Sequence, residues 1–294
     1  MFHVEQNGQT HFSGRRLPAL SRVMPKRIFT FWEPREKIPG YLTLCMQTWS
    51  KFLPDYEIVV LDYANLEQWL GKDCFDKSLY TNFPLPKQAD AIRCAVLRRW
   101  GGVWFDTDTI VTSEKIRDLL RSDAEFTLLG THIGFIVARK NAAILRIWEK
   151  NLQMKIRLYK YYKKYLWFSG RFPRFPLTRY MERWNFLGNS ILKQPLFHAN
   201  AHAFKSIDKS AVNAFPELGR YSERTGLEEN YADFYFGDHP IDAAANNGGL
   251  ICLHNSWTPE RYKAMNAAEF LRQKNTLSNT LRGLLAQQTS CSTR

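Results

Sequence analysis

Residues 85–108 constrain this chain more tightly than any other stretch. Ala89, Ile92, Ala95, Val96 and Arg99 follow Pro86 at helical spacing. The pattern stops at Gly101-Gly102, and Val103-Trp104-Phe105 then leads into Asp106-Thr107-Asp108. Proline suits the first turn of a helix and glycine the left-handed residue that ends one, so the spacing predicts a helix over about 86–100. The short apolar, aromatic run predicts a buried strand with both carboxylates at its carboxyl end, where open α/β sheets bind ligands. Asp90 and Arg93, three residues apart, share a helix face away from Ile92 and Val96. Two carboxylates one residue apart offer the oxygen ligands preferred by Mg²⁺ or Mn²⁺, ions that bridge protein carboxylates to phosphate oxygens.

The string A-D-x-x-R-x-x-x-L-x-x-x-G-G-V-W-x-D-x-D does not stand alone. Pro25 to Trp32 (PKRIFTFW), Cys45-Met46-Gln47-Thr48-Trp49, Leu53 to Asp62 (LPDYEIVVLD) and Leu253-His254-Asn255-Ser256-Trp257 accompany it. Together they resemble the glycosyltransferases with the DXD sugar-binding motif. That group includes family 32, the capsular-polysaccharide synthesis transferases and, more distantly, the glucosylating clostridial toxins. The resemblance runs over residues 24–260. It implies a GT-A type fold, one Rossmann-like α/β domain around a mostly parallel sheet, with helical insertions and a C-terminal tail. It implies a metal ion on Asp106 and Asp108, with His254 or Asn255 completing the shell, and an imidazole there favours Mn²⁺ over Mg²⁺. It further implies that Asp90 and Arg93 grip sugar hydroxyls, that Trp32 stacks on a nucleobase, and that Ser256 and Trp257 touch the donor phosphates. Trp104, where relatives often carry Tyr, falls beside the ribose. The expected donor is a nucleotide-sugar, a UDP-sugar first, the acceptor a saccharide, and the stereochemistry retaining.

At 294 residues with 45% hydrophobic content the chain can bury a sizeable core. Strand-like 28–32 and 57–61 alternate with helix-like 41–51, 64–70 and 86–100, the rhythm of parallel α/β units. The expected organisation is a flexible extension over 1–23, one domain over 24–262, and a C-terminal helix and tail over 263–294. Five cysteines without C-x-x-C spacing suggest neither a disulfide framework nor a zinc site, as in a cytoplasmic protein. Residues 1–23 lack the apolar core of a signal peptide, and Phe126 to Ala138 is too short to cross a bilayer.

The formal charge of +13 is uneven: residues 155–184 hold nine Lys or Arg, one acid and ten aromatics. Leu145, Trp148, Leu152, Ile156, Tyr159 and Leu166 form the apolar stripe of a helix whose other face carries Arg157, Lys160 and Lys164. A basic, aromatic amphipathic segment suits an anionic inner leaflet, making the expected protein peripheral on the cytoplasmic membrane, near a lipid-linked acceptor. The alternative is that the aromatics form core beneath a solvated charged face. No nucleic-acid-binding motif accompanies the segment, and no nucleic-acid partner is expected. Other chemistries fit the carboxylates less well. Hydrolase carboxylates flank a scissile bond from two sides, whereas i and i+2 on one strand project together. A nucleotidyltransferase acting on sugar phosphates would carry a glycine-rich phosphate loop after the first strand, where this chain has Glu33-Pro34-Arg35-Glu36-Lys37. A non-catalytic membrane- or nucleic-acid-binding protein is the remaining alternative.

Overall fold

The computed structural model describes residues 24–71, 83–130, 132–169, 181–183, 185–189, 204–207, 227–239 and 248–286, with side chains throughout except at 165–169 and 227–230. The expected extension over 1–23, Leu166, Arg171, Arg174 and Arg179 of the basic segment, and residues 287–294 lie outside that description.

Strand β1 (Arg27–Phe31) leads through α1 (Gly40–Phe52) to β2 (Glu57–Leu61), and α2 (Leu66–Leu70) and α3 (Leu85–Trp100) lead to β3 (Gly102–Phe105). β1 lies between β2 and β3 and runs parallel to both, with Phe29 opposite Val59 on one side and Trp104 on the other. Its apolar sequence is what a strand covered on both faces requires. Gly101 and Gly102 make the sharp change from α3 to β3 at φ +70° and +104°. A Cβ at Gly101 would lie 2.6 Å from Lys140 N, and one at Gly102 2.7 Å from Arg27 O, so neither site has room for a side chain.

Beyond β3 come β4 (Thr109–Val111), α4 (Ile116–Leu120), β5 (Phe126–Leu129), β6 (His132–Ala138), the long α5 (Ala143–Ser169), β7 (Phe204–Ile207) and α6 (Leu227–Phe236). β8 (Leu250–Cys252) precedes α7 (Glu260–Lys263), α8 (Ala267–Leu271) and α9 (Thr276–Ala286). Among the described residues the main sheet has six strands in the order β2-β1-β3-β6-β5-β7, of which β6 alone runs against the others. The fold is therefore mixed α/β with a mostly parallel central sheet, as expected. β4 and β8 pair antiparallel in a separate two-stranded sheet. The apolar run from Phe126 to Ala138 is the β5–β6 pair, and no helix among the described residues is long and apolar enough to cross a membrane.

Among the described residues, three apolar clusters hold these layers. The first joins α3 and α5 to the sheet around Trp104 and Trp148; another, around Trp49 and Phe105, joins α1 to β3, β4 and β6. The remaining cluster packs α1 against β8 and the C-terminal helices around Tyr41, Tyr231 and Phe270. Within the expected C-terminal helix and tail over 263–294, the described residues form α8 and α9, with Leu277, Leu281 and Leu284 buried. α5 buries Leu145, Trp148, Leu152 and Ile156 as its periodicity predicts. Lys155, counted in the basic segment 155–184, is buried and donates to Phe186 O at 2.6 Å.

Candidate active site

The carboxyl ends of β1 and β3 lie side by side, because the two strands are parallel neighbours. Asp106 follows β3 directly, and its N–H donates to Gly134 O at 2.7 Å, extending the pairing with β6 by one residue. The α3 side of the molecule fixes its carboxylate. Trp104 Nε1 donates to Asp106 Oδ1 at 2.8 Å, and Arg93 Nη1 lies 3.2 Å from the same oxygen. Arg93 Nη2 is 3.2 Å from Asp90 Oδ1, and Nη1 also donates to Ile133 O at 2.5 Å. The guanidinium sits 5.0 Å from the Trp104 ring centre. The i, i+3 spacing thus places Asp90 and Arg93 together as predicted, but Arg93 is 4% exposed, with its donors directed to carboxylates and carbonyls within the fold. Trp104, expected beside a ribose, is 1% exposed inside the first cluster, and its indole N–H positions Asp106.

Asp108 belongs to the opposite side. Its Oδ2 accepts from Asn255 N at 2.7 Å, and its carbonyl from Leu253 N at 3.1 Å. β8 ends at Cys252, one residue before the chain crosses Asp108, so His254 lies beyond the strand. α1 steadies the same corner: Trp49 Nε1 donates to Thr109 O at 2.7 Å, and Val111 N donates to Thr48 Oγ1 at 2.9 Å. Tyr41 Oη donates to Asn255 Oδ1 and stands 3.2 Å from Thr258 Oγ1. Burial, and then Asp108, raise the Tyr41 hydroxyl far above its ordinary range, so it stays protonated.

Charge compensation is unequal across the pair. Burial above all, and then Asp106, push Asp108 up to about 7. Asp90 also rises to about 7, again chiefly by burial, with Arg93 pulling the other way. Asp90 and Asp106 share one buried guanidinium, and Asp108 stands beside them without an ion pair to it. A dication is the kind of charge such a donor set accommodates, and it would reverse the like-charge penalty on Asp108. Among the described residues, no three His, Cys, Asp or Glu side chains converge into a preformed metal cage. His254 therefore does not close a set with Asp106 and Asp108. Its N–H donates to Tyr231 Oη at 3.1 Å, and its ring packs 4.4 Å from Trp257 and 6.0 Å from His132. Ser256 is exposed, and Trp32 and Trp257 are half-buried against the C-terminal cluster.

Several residues at the site had not been singled out from sequence. A Cβ at Gly134 would lie 2.5 Å from both Asp106 Oδ2 and His132 Nε2, so β6 passes close enough to place an imidazole near the second Asp106 oxygen. Glycine inside an apolar strand is the signal of such an approach. A Cβ at Gly188 would lie 2.3 Å from Asp90 Oδ2. Three buried donors pin the segment around it: Lys87 to Met181 O at 2.8 Å, Trp148 to Leu187 O at 2.9 Å, and Lys155 to Phe186 O. Beside Gly188, Asn189 Oδ1 is buried without a hydrogen-bond partner, an acceptor available to a ligand hydroxyl.

No curated protein matches this chain. Among solved structures it is similar to "PaToxG Glycosyltransferase", at 15% identity and a TM-score of 0.38 over 89% of this chain and 87% of that one. Residues 6–173 match the model of the capsular polysaccharide synthesis protein family. That match takes in more than half of the chain, from before β1, through α3 and the two carboxylates, to beyond the described part of α5, and the protein belongs to the capsular polysaccharide synthesis protein family.

Proposed function

We propose that the protein is a metal-dependent GT-A type glycosyltransferase that moves a sugar from a nucleotide-sugar, a UDP-sugar first, to a saccharide acceptor, with retention. The observation that carries this reading is the charge deficit at the end of β3: Asp106 has Arg93, whereas Asp108 has a backbone N–H and the repulsion of its neighbour. Asp106 and Asp108 would hold Mn²⁺ or Mg²⁺, with the remaining ligands coming from the donor diphosphate and from His254 or Asn255 after local adjustment. The ion would supply Lewis-acid stabilisation of the charge that gathers on the leaving phosphate as the bond to sugar C1 breaks.

The chain's own groups bind and orient. Asp90 faces the sugar hydroxyls, and Asn189, next to Gly188 in the chain, offers a further acceptor. Arg93 and Trp104 fix the rotamer of Asp106. Trp32 offers its face to the base, and Ser256 and Trp257 flank the phosphates. Transfer to water or saccharide follows the same bond cleavage, so donor hydrolysis serves as an assay before the acceptor is identified. The loop after β1 argues against the nucleotidyltransferase alternative: Glu33 Oε2 accepts from Tyr63 N at 2.7 Å and Arg35 lies 3.6 Å from Asp62, tying the loop to β2 without a glycine cradle for phosphate.

Release of nucleoside diphosphate from a panel of nucleotide-sugars, with Mn²⁺ and with EDTA, tests the reading. Wild type should turn over at least one donor with Mn²⁺ only, and Asp108→Asn should lose at least about a hundredfold in kcat, the scale of removing one strong electrostatic contact to a transition state. Turnover that survives EDTA, or a variant within tenfold of wild type, would contradict it.

A further inference from the structure

Helix α5 buries one face and exposes another among the described residues. Glu149, the acid nearest the exposed face in sequence, is buried and paired with Arg98, and residues 150–164 contain no acid. Met154, Leu158 and Tyr161 stand 59%, 42% and 72% exposed, three of the four exposed large hydrophobics among the described residues. They recur at i, i+4 and i+7, so they form one stripe along the helix. Lys150, Arg157 and Lys164 are exposed beside them, within about 80° of Met154 at 100° per residue. Lys160 and Lys163 are exposed further round.

Single exposed apolar side chains are ordinary, but a stripe rimmed by bases on a fifteen-residue stretch without acids, 150–164, is the pattern of an interfacial helix. Its chemistry discriminates between anionic partners. Single-stranded nucleic acid asks for aromatic platforms, and Met154 and Leu158 give bases nothing to stack on. The headgroup–acyl boundary accepts aliphatic side chains and places lipid phosphates beside them.

We infer that this face of α5 docks the protein on an anionic lipid bilayer, with Met154, Leu158 and Tyr161 entering the headgroup boundary and Lys150, Arg157 and Lys164 meeting lipid phosphates. The docking stands apart from the reaction; only the corollary that a lipid-linked saccharide acceptor is met there rests on the glycosyltransfer reading. The surface is narrower than the basic segment as a whole, since Lys155 faces inward.

Co-sedimentation with vesicles of one-third phosphatidylglycerol in phosphatidylcholine, against pure phosphatidylcholine, tests the docking on the full chain. Wild type should prefer the anionic vesicles and release them as salt rises. Each base near the surface contributes about fivefold to partitioning, so Lys150→Gln/Arg157→Gln/Lys164→Gln should bind on the order of a hundredfold more weakly. Met154→Gln/Leu158→Gln/Tyr161→Gln should lose binding at low salt as well. Both triple variants change exposed side chains alone, so unchanged melting and unchanged donor hydrolysis are the expected controls. Undiminished vesicle binding by either variant, equal binding to neutral vesicles, or capture by a single-stranded oligonucleotide in place of vesicles would overturn the proposal. Anionic-vesicle binding without donor hydrolysis would uphold the docking and remove the glycosyltransfer reading.

Discussion

Asp106 and Asp108 are separated by one residue, yet different parts of the molecule hold them. Asp106 belongs to the α3 side, where Arg93 and Trp104 converge on one of its oxygens. Asp108 belongs to the C-terminal side, where the segment after β8 crosses it and Asn255 N–H reaches its carboxylate. The α3 side supplies a full counter-charge; the C-terminal side supplies a dipole. The half-buried Asp106 already has a guanidinium on one oxygen, whereas the buried Asp108, with a single N–H beside another acid, is the carboxylate most in need of an added cation. The contrast separates the ligand whose charge is balanced within the fold from the one whose charge is not.

Removing the counter-charge should produce the largest effect. Arg93→Met leaves Asp90 buried and Asp106 unpaired, so at pH 8, where Asp90 is ionised, unfolding should become easier by about 3–5 kcal/mol in denaturant melts. A loss below about 1 kcal/mol would mean that Arg93 is not the counter-ion of the pair.

The C-terminal side should respond in the opposite sense. With its native value raised from 3.8 to about 7, Asp108 keeps a proton in the folded state that the unfolded chain releases. In the absence of metal, stability from this group is therefore retained below about pH 4 and lost as pH rises towards 7. Asn does not titrate, so in EDTA wild type should melt progressively lower than Asp108→Asn across that window and by a constant margin above it. A difference that does not change between pH 4 and 8 would place Asp108 in a solvated, unstrained setting.

A smaller effect sharpens the same side. Tyr41→Phe removes the hydroxyl that Asn255 Oδ1 and Thr258 Oγ1 share, and should cost about 1–2 kcal/mol. It should also loosen the segment over Asp108, seen as faster amide exchange at Asn255. Exchange unchanged at Asn255 would show that β8 alone holds the segment.

The two sides also differ in how far sequence reveals them. Asp90 and Arg93 are one helical turn apart, and Gly101-Gly102 and the following apolar run mark the junction that places Asp106, so local periodicity suffices. Tyr41 and Asn255 lie 214 residues apart, and no local pattern joins them. Their contact exists because α1 and the C-terminal helices share a cluster. Gly188 meets Asp90 through a segment held by Lys87, Trp148 and Lys155, again a tertiary event. Lys155 was legible and overlooked: it falls seven residues after Trp148, and so lies within about 20° of that buried side chain around the helix. The exposed stripe on α5 needed burial to be seen, because Met154, Leu158 and Tyr161 are as apolar as the buried stripe they oppose.

The measurement that bears most directly on the unequal pair is a thermal melt of wild type and Asp108→Asn with a nucleoside diphosphate, UDP first, with and without Mn²⁺. At a hundred times its dissociation constant a ligand stabilises the native state by about 2.7 kcal/mol. Wild type should show that stabilisation with nucleotide and Mn²⁺ together and little with either alone, and Asp108→Asn should show none. Equal stabilisation by UDP in EDTA, or the full metal-dependent shift in Asp108→Asn, would contradict the assignment of Asp108 as the carboxylate that awaits a cation.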